Sequence, residues 1–462
     1  MAIKKITLIN PPQFTKYSQP PMGLAQLAAV LEKAGYPVSI IDANALALAP
    51  RDVASQAVNS DVIGLTAMTP TINAALAIAG EIKNINPNVS IIFGGSHATL
   101  LPEETLNSAP QIDVLVRGEG ETVIIELLHV LEDKRAWGNI GGISYRENGR
   151  VINNPVSSGN VDLDSLPFLA YHLLPLSKYK PHPPHGRELP FAAIITSRGC
   201  PYRCGYCSKP VFGQKFRAQN PERVVAEIAY LKEKFGVREL AIYDDVFTLN
   251  RDRVYAIAEL ILKRGLKICW TCETRVDLVD KELLSLMKKA GCYSVAYGVE
   301  SACQEILNIL NKGIALERVE EAVRITREAG LQTIGYFMLG SPGETPETIN
   351  DTVSLAKKLK LDFAQFAITI PFPGTELYQL YLKNNNKPPE WESFVYEGAG
   401  ERMAPAFESE TLKRADLQLA VKKAYKEFYL RPSYLCQRLR QTNWGDFKVN
   451  VKGLLMLLRN IR

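Results

Sequence analysis

The sequence has no long hydrophobic run, and its cysteines and histidines are absent from large parts of the chain. No uninterrupted apolar stretch reaches the roughly 18 residues that a membrane-spanning helix needs. The first residues also lack the pattern of a secretory signal peptide, so we expect a cytoplasmic protein whose eight cysteines are thiols. No cysteine precedes Cys200, and no histidine precedes His97. These absences argue against a membrane-spanning or disulfide-stabilised protein.

Length and composition are those of a globular protein with several domains. The chain has 462 residues, 46% hydrophobic and 22% charged, which predicts about three domains at roughly 150 residues each. The net charge of +5 is small, and its excess lies beyond Thr411. Basic residues are not interleaved with aromatic residues in one groove-like patch, so the sequence does not favour nucleic-acid binding.

Three of the eight cysteines lie within one short segment. Cys200, Cys204 and Cys207 follow the apolar run from Phe191 to Ile195 with the spacing CxxxCxxC. A structural zinc site needs a fourth ligand, which the residues directly after Cys207 do not supply. Three thiolates suit an iron–sulfur cluster that leaves one iron open to a substrate or cofactor. A zinc knuckle and a redox CxxC motif are the alternatives.

Residues 1–140 alternate short apolar runs with helical patterns. Five runs predict buried parallel strands, at Ile6 to Ile9, Val38 to Ile41, Val62 to Leu65, Ser90 to Phe93 and Val114 to Val116. Helical patterns between them start at Gly23, Arg51, Thr71 and Glu121. The alternation predicts a doubly wound parallel α/β sheet, in which ligands bind beyond the carboxyl ends of the strands.

Residues 191–390 repeat the alternation of strand and helix. Six runs predict parallel strands, at Phe191 to Ile195, Leu240 to Tyr243, Lys267 to Thr274, Tyr293 to Val299, Gln332 to Leu339 and Phe363 to Ile370. We therefore expect a partial (β/α)6 barrel of the TIM type, with its chemistry at the carboxyl ends of the strands. Residues 141–190 predict a hairpin with an Asn-Gly turn and then a linker or lid, and residues 391–462 a basic helical region.

The cysteine segment resembles the signature of the radical S-adenosylmethionine (SAM) enzymes, CxxxCxΦC, with Tyr206 as the aromatic residue Φ. The resemblance implies that Cys200, Cys204 and Cys207 bind a [4Fe-4S] cluster. It also implies that the open iron binds SAM, that one electron cleaves SAM to a 5′-deoxyadenosyl radical, and that Tyr206 belongs to the SAM site.

The resemblance also implies residues that bind SAM at the ends of the barrel strands. Asp244 and Asp245 stand where the family has a Gly-Gly-Glu motif that holds the SAM amino group, and which of the two acids does so stays open. Arg275 and Glu300 correspond to residues that reach the SAM carboxylate or ribose, and Gly340 ends the strand that lies along the adenine. A helix cap or an ion pair at the barrel mouth is the alternative for each acid.

The loops after the N-terminal strands resemble the cobalamin-binding domain that is fused to many radical SAM enzymes. The Pro-Pro-Met-Gly-Leu-Ala, Gly-Gly-Ser-His-Ala-Thr and Arg-Gly-Glu-Gly-Glu segments carry the resemblance. It implies cobalamin contacts from Thr66, Thr69, Gly94, Gly95, His97, Gly118 and Glu119. Because no histidine precedes His97, we expect base-off binding without a histidine under the cobalt. A plain flavodoxin-like domain is the alternative.

The two resemblances together predict a radical SAM enzyme that uses cobalamin to methylate an unactivated carbon. The same plan also serves oxidative cyclisation, including that of magnesium-porphyrin esters, and rearrangement. A methylthiotransferase is disfavoured, because its N-terminal domain carries three more cysteines and none precedes Cys200 here. A non-catalytic cobalamin or redox sensor is the alternative from another class.

The expected partners are a small-molecule or lipid-like substrate and an electron donor such as flavodoxin or ferredoxin. The segment from Val451 to Arg459 is an apolar run flanked by cations. This pattern suits peripheral contact with a membrane surface, and a helix that closes onto the barrel is the alternative.

Overall fold

Two mainly parallel sheets packed with helices make up the chain. The computed structural model describes residues 4–13, 17–156, 161–179, 181, 187–385, 388–394 and 405–441. The first sheet lies in the N-terminal half and the second in the region that carries the cysteine motif.

The N-terminal sheet has seven strands in the order β2-β1-β3-β4-β5-β6-β7. Its strands are β1 Ile6–Asn10, β2 Val38–Asp42, β3 Val62–Thr66, β4 Ser90–Gly94, β5 Val114–Val116, β6 Ile143–Glu147 and β7 Arg150–Asn153. Its helices are α1 Met22–Lys33, α2 Ala43–Leu46, α3 Pro50–Ala57, α4 Ile72–Ile85, α5 Ser96–Leu100, α6 Pro102–Ser108 and α7 Val123–His129. Strands β1 to β5 are parallel, which confirms the predicted doubly wound sheet.

The predicted hairpin extends the N-terminal sheet. Strand β6 pairs antiparallel with β5 and with β7. The turn between β6 and β7 places Asn148 at φ 49° and Gly149 at φ 75°, the left-handed conformations that a type I′ turn requires. The first part of the segment between the two halves therefore belongs to this sheet.

The second sheet has six parallel strands in the order β8-β11-β12-β13-β14-β15, which confirms the predicted partial barrel. The strands of this half are β8 Phe191–Ile194, β9 Ser197–Arg198, β10 Arg217–Ala218, β11 Glu239–Ile242, β12 Cys269–Thr274, β13 Cys292–Glu300, β14 Gln332–Leu339 and β15 Phe363–Ile368. Its helices are α8 Pro221–Phe235, α9 Arg251–Lys263, α10 Lys281–Lys289, α11 Gln304–Ile309, α12 Leu316–Glu328, α13 Pro346–Lys358 and α14 Glu376–Asn385. The two short strands β9 and β10 form a separate antiparallel ribbon.

The C-terminal helices α15 Arg414–Tyr429 and α16 Pro432–Gln441 cover the edge strand β15. The Tyr429 hydroxyl accepts from the Ala364 N–H at 3.1 Å, and the Tyr434 hydroxyl donates to the Asp362 carbonyl at 2.9 Å. These hydroxyls satisfy backbone groups that an open sheet edge would expose. Within the described ranges, no helix is long and apolar enough to cross a membrane. The predicted membrane-surface segment lies outside the described residues.

Loops at the carboxyl ends of the two sheets contact each other. Tyr243, directly after β11, donates its hydroxyl to the Gln19 side chain in the β1–α1 loop at 2.9 Å. The segment that leads into β8 also reaches this edge of the N-terminal sheet, because Tyr179 donates to Asp42 at the end of β2 at 2.8 Å. The side chain of Leu100, after β4, lies where a Cβ on Gly374, after β15, would stand. The ligand-binding edges of both sheets therefore border one space.

Candidate active site between the two sheets

The cysteine motif lies in a loop, residues 199–216, whose base is the β9–β10 ribbon. We call it the cluster loop. Its first residue, Gly199, has φ 81°, and a Cβ there would overlap the Lys215 carbonyl oxygen. Only glycine, which has no Cβ, fits at the point where the chain passes this carbonyl group. Cys200 is buried, Cys204 is partly exposed and Cys207 is exposed, and all three are free thiols.

The three thiols fit an iron–sulfur cluster by the chemistry of their donor atoms. They come from one loop and interact electrostatically, and burial raises the pKa of Cys200 while a hydrogen bond from the Tyr202 backbone and the charge of Lys209 oppose this. Soft thiolates are the usual ligands of iron–sulfur clusters. Among the described residues no three His, Cys, Asp or Glu side chains are arranged to hold a metal ion. The cluster-binding role of the cysteines stays a prediction.

The two acids at the end of β11 differ in their surroundings. Asp244 is buried and accepts four hydrogen bonds of 2.6 to 3.0 Å from the backbone N–H groups and hydroxyls of Thr196 and Ser197. Asp245 is exposed, lies near Lys209 and accepts from the Gly199 N–H. Asp244 therefore anchors the segment that leads into the cluster loop, whereas the carboxylate of Asp245 can accept further hydrogen bonds from a ligand.

The side chain of Arg275 is engaged with the protein on every side. It pairs with Asp277 at 2.9 Å, donates to the carbonyl oxygens of Lys312 and Gly313, and lies over the ring of Tyr202 in the cluster loop. Such stacking and forked hydrogen bonding are properties of a guanidinium. Arg275 thus supports the cluster loop, and its predicted contact with SAM stays a prediction.

Glu300 forms a hydrogen-bonded triangle with Lys312 and the aromatic residue of the motif, Tyr206. Its Oε1 accepts from the Tyr206 hydroxyl at 2.8 Å and from the Lys312 ammonium at 2.8 Å, and Lys312 also donates to Tyr206 at 3.0 Å. A Cβ on Gly298 would overlap this triangle. The role of Lys312 could not be predicted from the sequence, because a single lysine in a loop carries no recognisable pattern.

Gly340 packs against the C-terminal helix. A Cβ at this position would lie 2.7 Å from the Leu417 side chain of α15. Its N–H and that of Ser341 donate to Glu344 Oε2 at 2.6 and 2.8 Å. Burial raises the pKa of Glu344 to about 7. Packing with α15 explains this glycine without a ligand, and its role beside adenine stays a prediction.

The loops after β3 and β4 pack tightly against each other. Gly95 has φ 96°, and a Cβ there would lie 2.6 Å from both the Ala67 carbonyl oxygen and the Thr66 hydroxyl. Gly94 has more room, since its Cβ would stand 3.4 Å from the Val116 carbonyl oxygen. The strict need for glycine at Gly95 therefore arises from the protein's own backbone.

His97 is fully buried between these loops and the chain after α14. Its Nδ1 lies 3.2 Å from the Thr69 hydroxyl, and its ring packs edge-on against Trp391 at 4.6 Å between centroids. Burial lowers the pKa of His97 to about 4, so the ring is neutral at neutral pH. Its buried Nε2 has no hydrogen-bond partner among the described residues. An unsatisfied polar atom of this kind fits a nearby polar ligand such as a cobalamin side chain.

The Arg-Gly-Glu-Gly-Glu loop after β5 contacts the ribbon at the base of the cluster loop. The Gly118 N–H donates to Thr99 at 3.1 Å. Glu119 forms buried ion pairs with Arg198 and Arg217. The structure thus places Glu119 beside the cluster loop, and its predicted cobalamin contact stays a prediction.

Alternate residues on the inner face of the barrel remain partly exposed. On β14, Tyr336 and Met338 are partly exposed, whereas Phe337 between them is buried and stacks on Phe366. The Tyr336 hydroxyl donates to Glu273 at 3.0 Å, and burial raises the pKa of this carboxyl. Solvent therefore reaches Tyr336 and Met338 on this face of β14.

Comparisons with known proteins match both halves of this arrangement. The sequence profile of the radical SAM superfamily matches residues 194–356, and that of the B12 binding domain matches residues 15–128. An uncharacterized methyltransferase of Pyrococcus horikoshii is 36% identical over 465 residues, covering 98% of this chain and 99% of the relative. This chain belongs to the B12-binding radical SAM enzymes.

Two further relatives bear on the reaction and the fold of this B12-binding radical SAM enzyme. The anaerobic magnesium-protoporphyrin IX monomethyl ester cyclase of Rubrivivax gelatinosus is 30% identical over 425 residues, 90% of this chain and 75% of the cyclase. The radical SAM methyltransferase TsrM of Kitasatospora setae, solved with cobalamin and a [4Fe-4S] cluster, has a TM-score of 0.69 at 21% identity, covering 82% of this chain and 78% of TsrM. The predicted family, two-sheet fold and cofactors are confirmed.

Proposed function

We propose that this enzyme transfers a methyl group to a carbon atom of a small molecule, using SAM and cobalamin. The observation that carries the proposal is the contact between the carboxyl ends of the two sheets. It puts the loops of the B12-binding domain and the cluster loop on the border of one space. Methyltransferases among the relatives support this reaction over the alternatives.

The residues of the chain supply binding sites around that space. Cys200, Cys204 and Cys207 hold the cluster, and the exposed carboxylate of Asp245, which already accepts from the Gly199 N–H, also accepts from the SAM amino group. Asp244 is less suited to this role than Asp245, because four hydrogen bonds within the protein already use both of its oxygens. When bound, the cluster supplies the electron that opens SAM, and cobalamin supplies the methyl group.

The substrate occupies the barrel interior. Tyr243, Glu273 and Tyr336 offer polar groups there, while Met338 and Ala367 offer apolar surface, and all five are at least partly exposed. A molecule with both polar and apolar parts, such as a lipid, terpenoid or tetrapyrrole, suits this lining.

The test traces the isotope-labelled methyl group of SAM into a product. Anaerobically reconstituted enzyme, dithionite and SAM with a labelled methyl group are incubated with a small-molecule extract of the source cells. We expect iron and cobalt in the protein, 5′-deoxyadenosine and S-adenosylhomocysteine in solution, and label on a carbon of a product. Substrate oxidation without label would favour the cyclase reaction, for which the cyclase relative is the support. Uncleaved SAM would indicate a sensor.

Two cysteine variants make this test specific. Cys204→Ala removes one thiol of the motif and should abolish SAM cleavage. Cys436→Ser, which changes an exposed thiol on α16, is the matched control and should leave cleavage unchanged. Cleavage by the Cys204→Ala variant would contradict the cluster assignment.

A reduced flavodoxin or ferredoxin is the electron donor. Cys207 is exposed, so the cluster loop is accessible from the protein surface. Replacing dithionite with reduced flavodoxin should sustain SAM cleavage. Failure with both flavodoxin and ferredoxin, while dithionite works, would refute this donor class.

The basic tail makes a peripheral contact with the membrane. Helix α15 and Tyr434 are already committed to strand β15, which leaves residues 442–462 for this role. A truncation that ends at Gln441 should keep the cluster and lose binding to anionic liposomes. Equal liposome binding by the full-length and truncated proteins would refute the contact.

A further inference from the structure

Two arginines stand directly opposite each other at the base of the cluster loop. Arg198 of β9 and Arg217 of β10 are register partners in the antiparallel ribbon. Their side chains are only 9% and 12% exposed. Like charges at directly opposite positions destabilise a strand pair, and burial removes the water that would screen them. The ribbon therefore depends on negative charge from elsewhere in the fold.

Glu119 and Glu121, in the loop after β5, supply that charge. Glu119 Oε2 accepts from Arg198 Nη1 at 2.6 Å and from Arg217 Nη1 at 3.2 Å, and its other oxygen accepts from Arg217 Nη2. Glu121 Oε1 accepts from Arg198 Nη2 at 2.6 Å. One carboxylate thus bridges both arginines, and the four buried charges cancel. We call these four residues the charge bridge.

The charge bridge lies close to the cysteines. Arg198 is two residues before Cys200, and its guanidinium also lies over the ring of Phe212 in the cluster loop, 4.9 Å from the centroid. Ser197, its neighbour, is held by Asp244. A shift of Arg198 would therefore move the start of the cysteine motif.

We propose that Glu119 and Glu121 are positioning residues for the radical SAM site, so that the B12-binding domain sets the geometry of the cluster loop. Glu119 acts through Arg198 and Arg217, because both of its oxygens are used by these arginines. The proposal requires an iron–sulfur cluster at the cysteines. It holds whichever reaction the enzyme performs, because its test measures the cluster and SAM binding rather than methyl transfer.

The experiment compares full-length reconstituted variants with the wild type. The measurements are iron and cobalamin content, the electron paramagnetic resonance spectrum of the reduced cluster with and without SAM, and the KM for SAM in cleavage. For Glu119→Gln we expect normal cobalamin content, a changed cluster spectrum and a KM for SAM raised about tenfold or more, because a hydrogen-bonded charge is lost. Glu121→Gln should change the cluster spectrum and the KM for SAM less, because Arg198 still forms its ion pair with Glu119.

A charge-balanced variant provides the rescue. The double variant Glu119→Gln/Arg217→Gln removes one charge of each sign. It therefore no longer has two arginines at directly opposite positions of the ribbon. It should recover part of the wild-type spectrum and SAM affinity. If Glu119→Gln does not fold, this double variant and Glu121→Gln carry the comparison. Glu320→Gln, which breaks an exposed ion pair with Lys358, is the control and should leave every measurement unchanged.

Two results would overturn the proposal. A Glu119→Gln protein that loses cobalamin but keeps the wild-type cluster spectrum and SAM affinity would make Glu119 a cobalamin ligand. Wild-type spectra and affinities in all the charge-bridge variants would show that the bridge does not position the cluster loop.

Discussion

The guanidinium of Arg275 lies over the ring of Tyr202, with its central carbon 3.7 Å from the ring centroid. Arg275 follows strand β12, and Tyr202 lies between the first two cysteines of the motif. Together with Asp244 and Glu300, Arg275 belongs to a set of strand-end residues that contact the cluster loop or the segment leading into it. The barrel therefore supports the cysteines from three of its strands.

Replacing Arg275 with lysine should weaken this support while keeping the charge. Lysine cannot stack its head group on Tyr202 and pair with Asp277 in a fork at the same time. We expect lower iron content after reconstitution and SAM cleavage reduced about tenfold or more. Iron analysis and a cleavage assay check this. Wild-type iron with a raised KM for SAM would instead favour direct contact between Arg275 and SAM.

Changing each of the two adjacent acids to asparagine should affect different properties of the enzyme: stability and iron content for Asp244, and the KM for SAM for Asp245. Asp244→Asn removes the charge that four donors share, and it should cost about 3 kcal/mol and lower the iron content. Asp245→Asn should keep the iron and raise the KM for SAM. Parallel measurement of thermal stability, iron and KM distinguishes the two. A raised KM in Asp244→Asn with unchanged iron would reverse the assignment.

Gly95→Ala should destabilise the B12-binding domain and reduce cobalamin binding. The added Cβ would lie 2.6 Å from the Ala67 carbonyl oxygen, in a left-handed conformation with φ 96°, and the strain is of the order of 1–3 kcal/mol. Gly80→Ala, in helix α4 with nothing within 4 Å of the new Cβ, is the control. Its stability should stay the same or rise slightly. Denaturant unfolding and cobalamin titration of both variants check this.

Glu344 should make stability fall as pH rises. Its pKa is raised from 4.5 to about 7, first by burial, with the N–H groups of Ser341 and Gly340 opposing. Because the folded state binds this proton more tightly, the stabilisation is complete below pH 4.5 and is lost as pH rises through 7. The change amounts to about 3 kcal/mol.

The variant Glu344→Gln, which cannot ionise, isolates this effect. Urea unfolding of the cofactor-free protein at about pH 5 and about pH 8 should show a smaller decrease for the variant than for the wild type. Equal decreases would contradict the shift of the Glu344 pKa.

Local pattern was sufficient for the strands of the two main sheets and for the family of this protein. Strands such as β1 and β4 are short continuous apolar runs because both faces of a parallel sheet are buried. Five residues of sequence are therefore enough to recognise such a strand. The Asn148-Gly149 turn and the CxxxCxΦC motif are equally local. Helices α2 and α5, of four and five residues, were not predicted, because they are too short to show helical periodicity.

Tertiary structure alone decided what the polar residues of the site do. Asp244 and Asp245 are neighbours in sequence, yet only the fold brings Thr196 and Ser197, 48 and 47 positions away, onto Asp244. In the same way it places Glu119 on Arg198, 79 positions away, and Trp391 on His97. A residue's type and local pattern determine which chemistry it can perform. Its partners depend on contacts between distant segments, so only packing determines whether a carboxylate anchors a loop or stays available to a ligand.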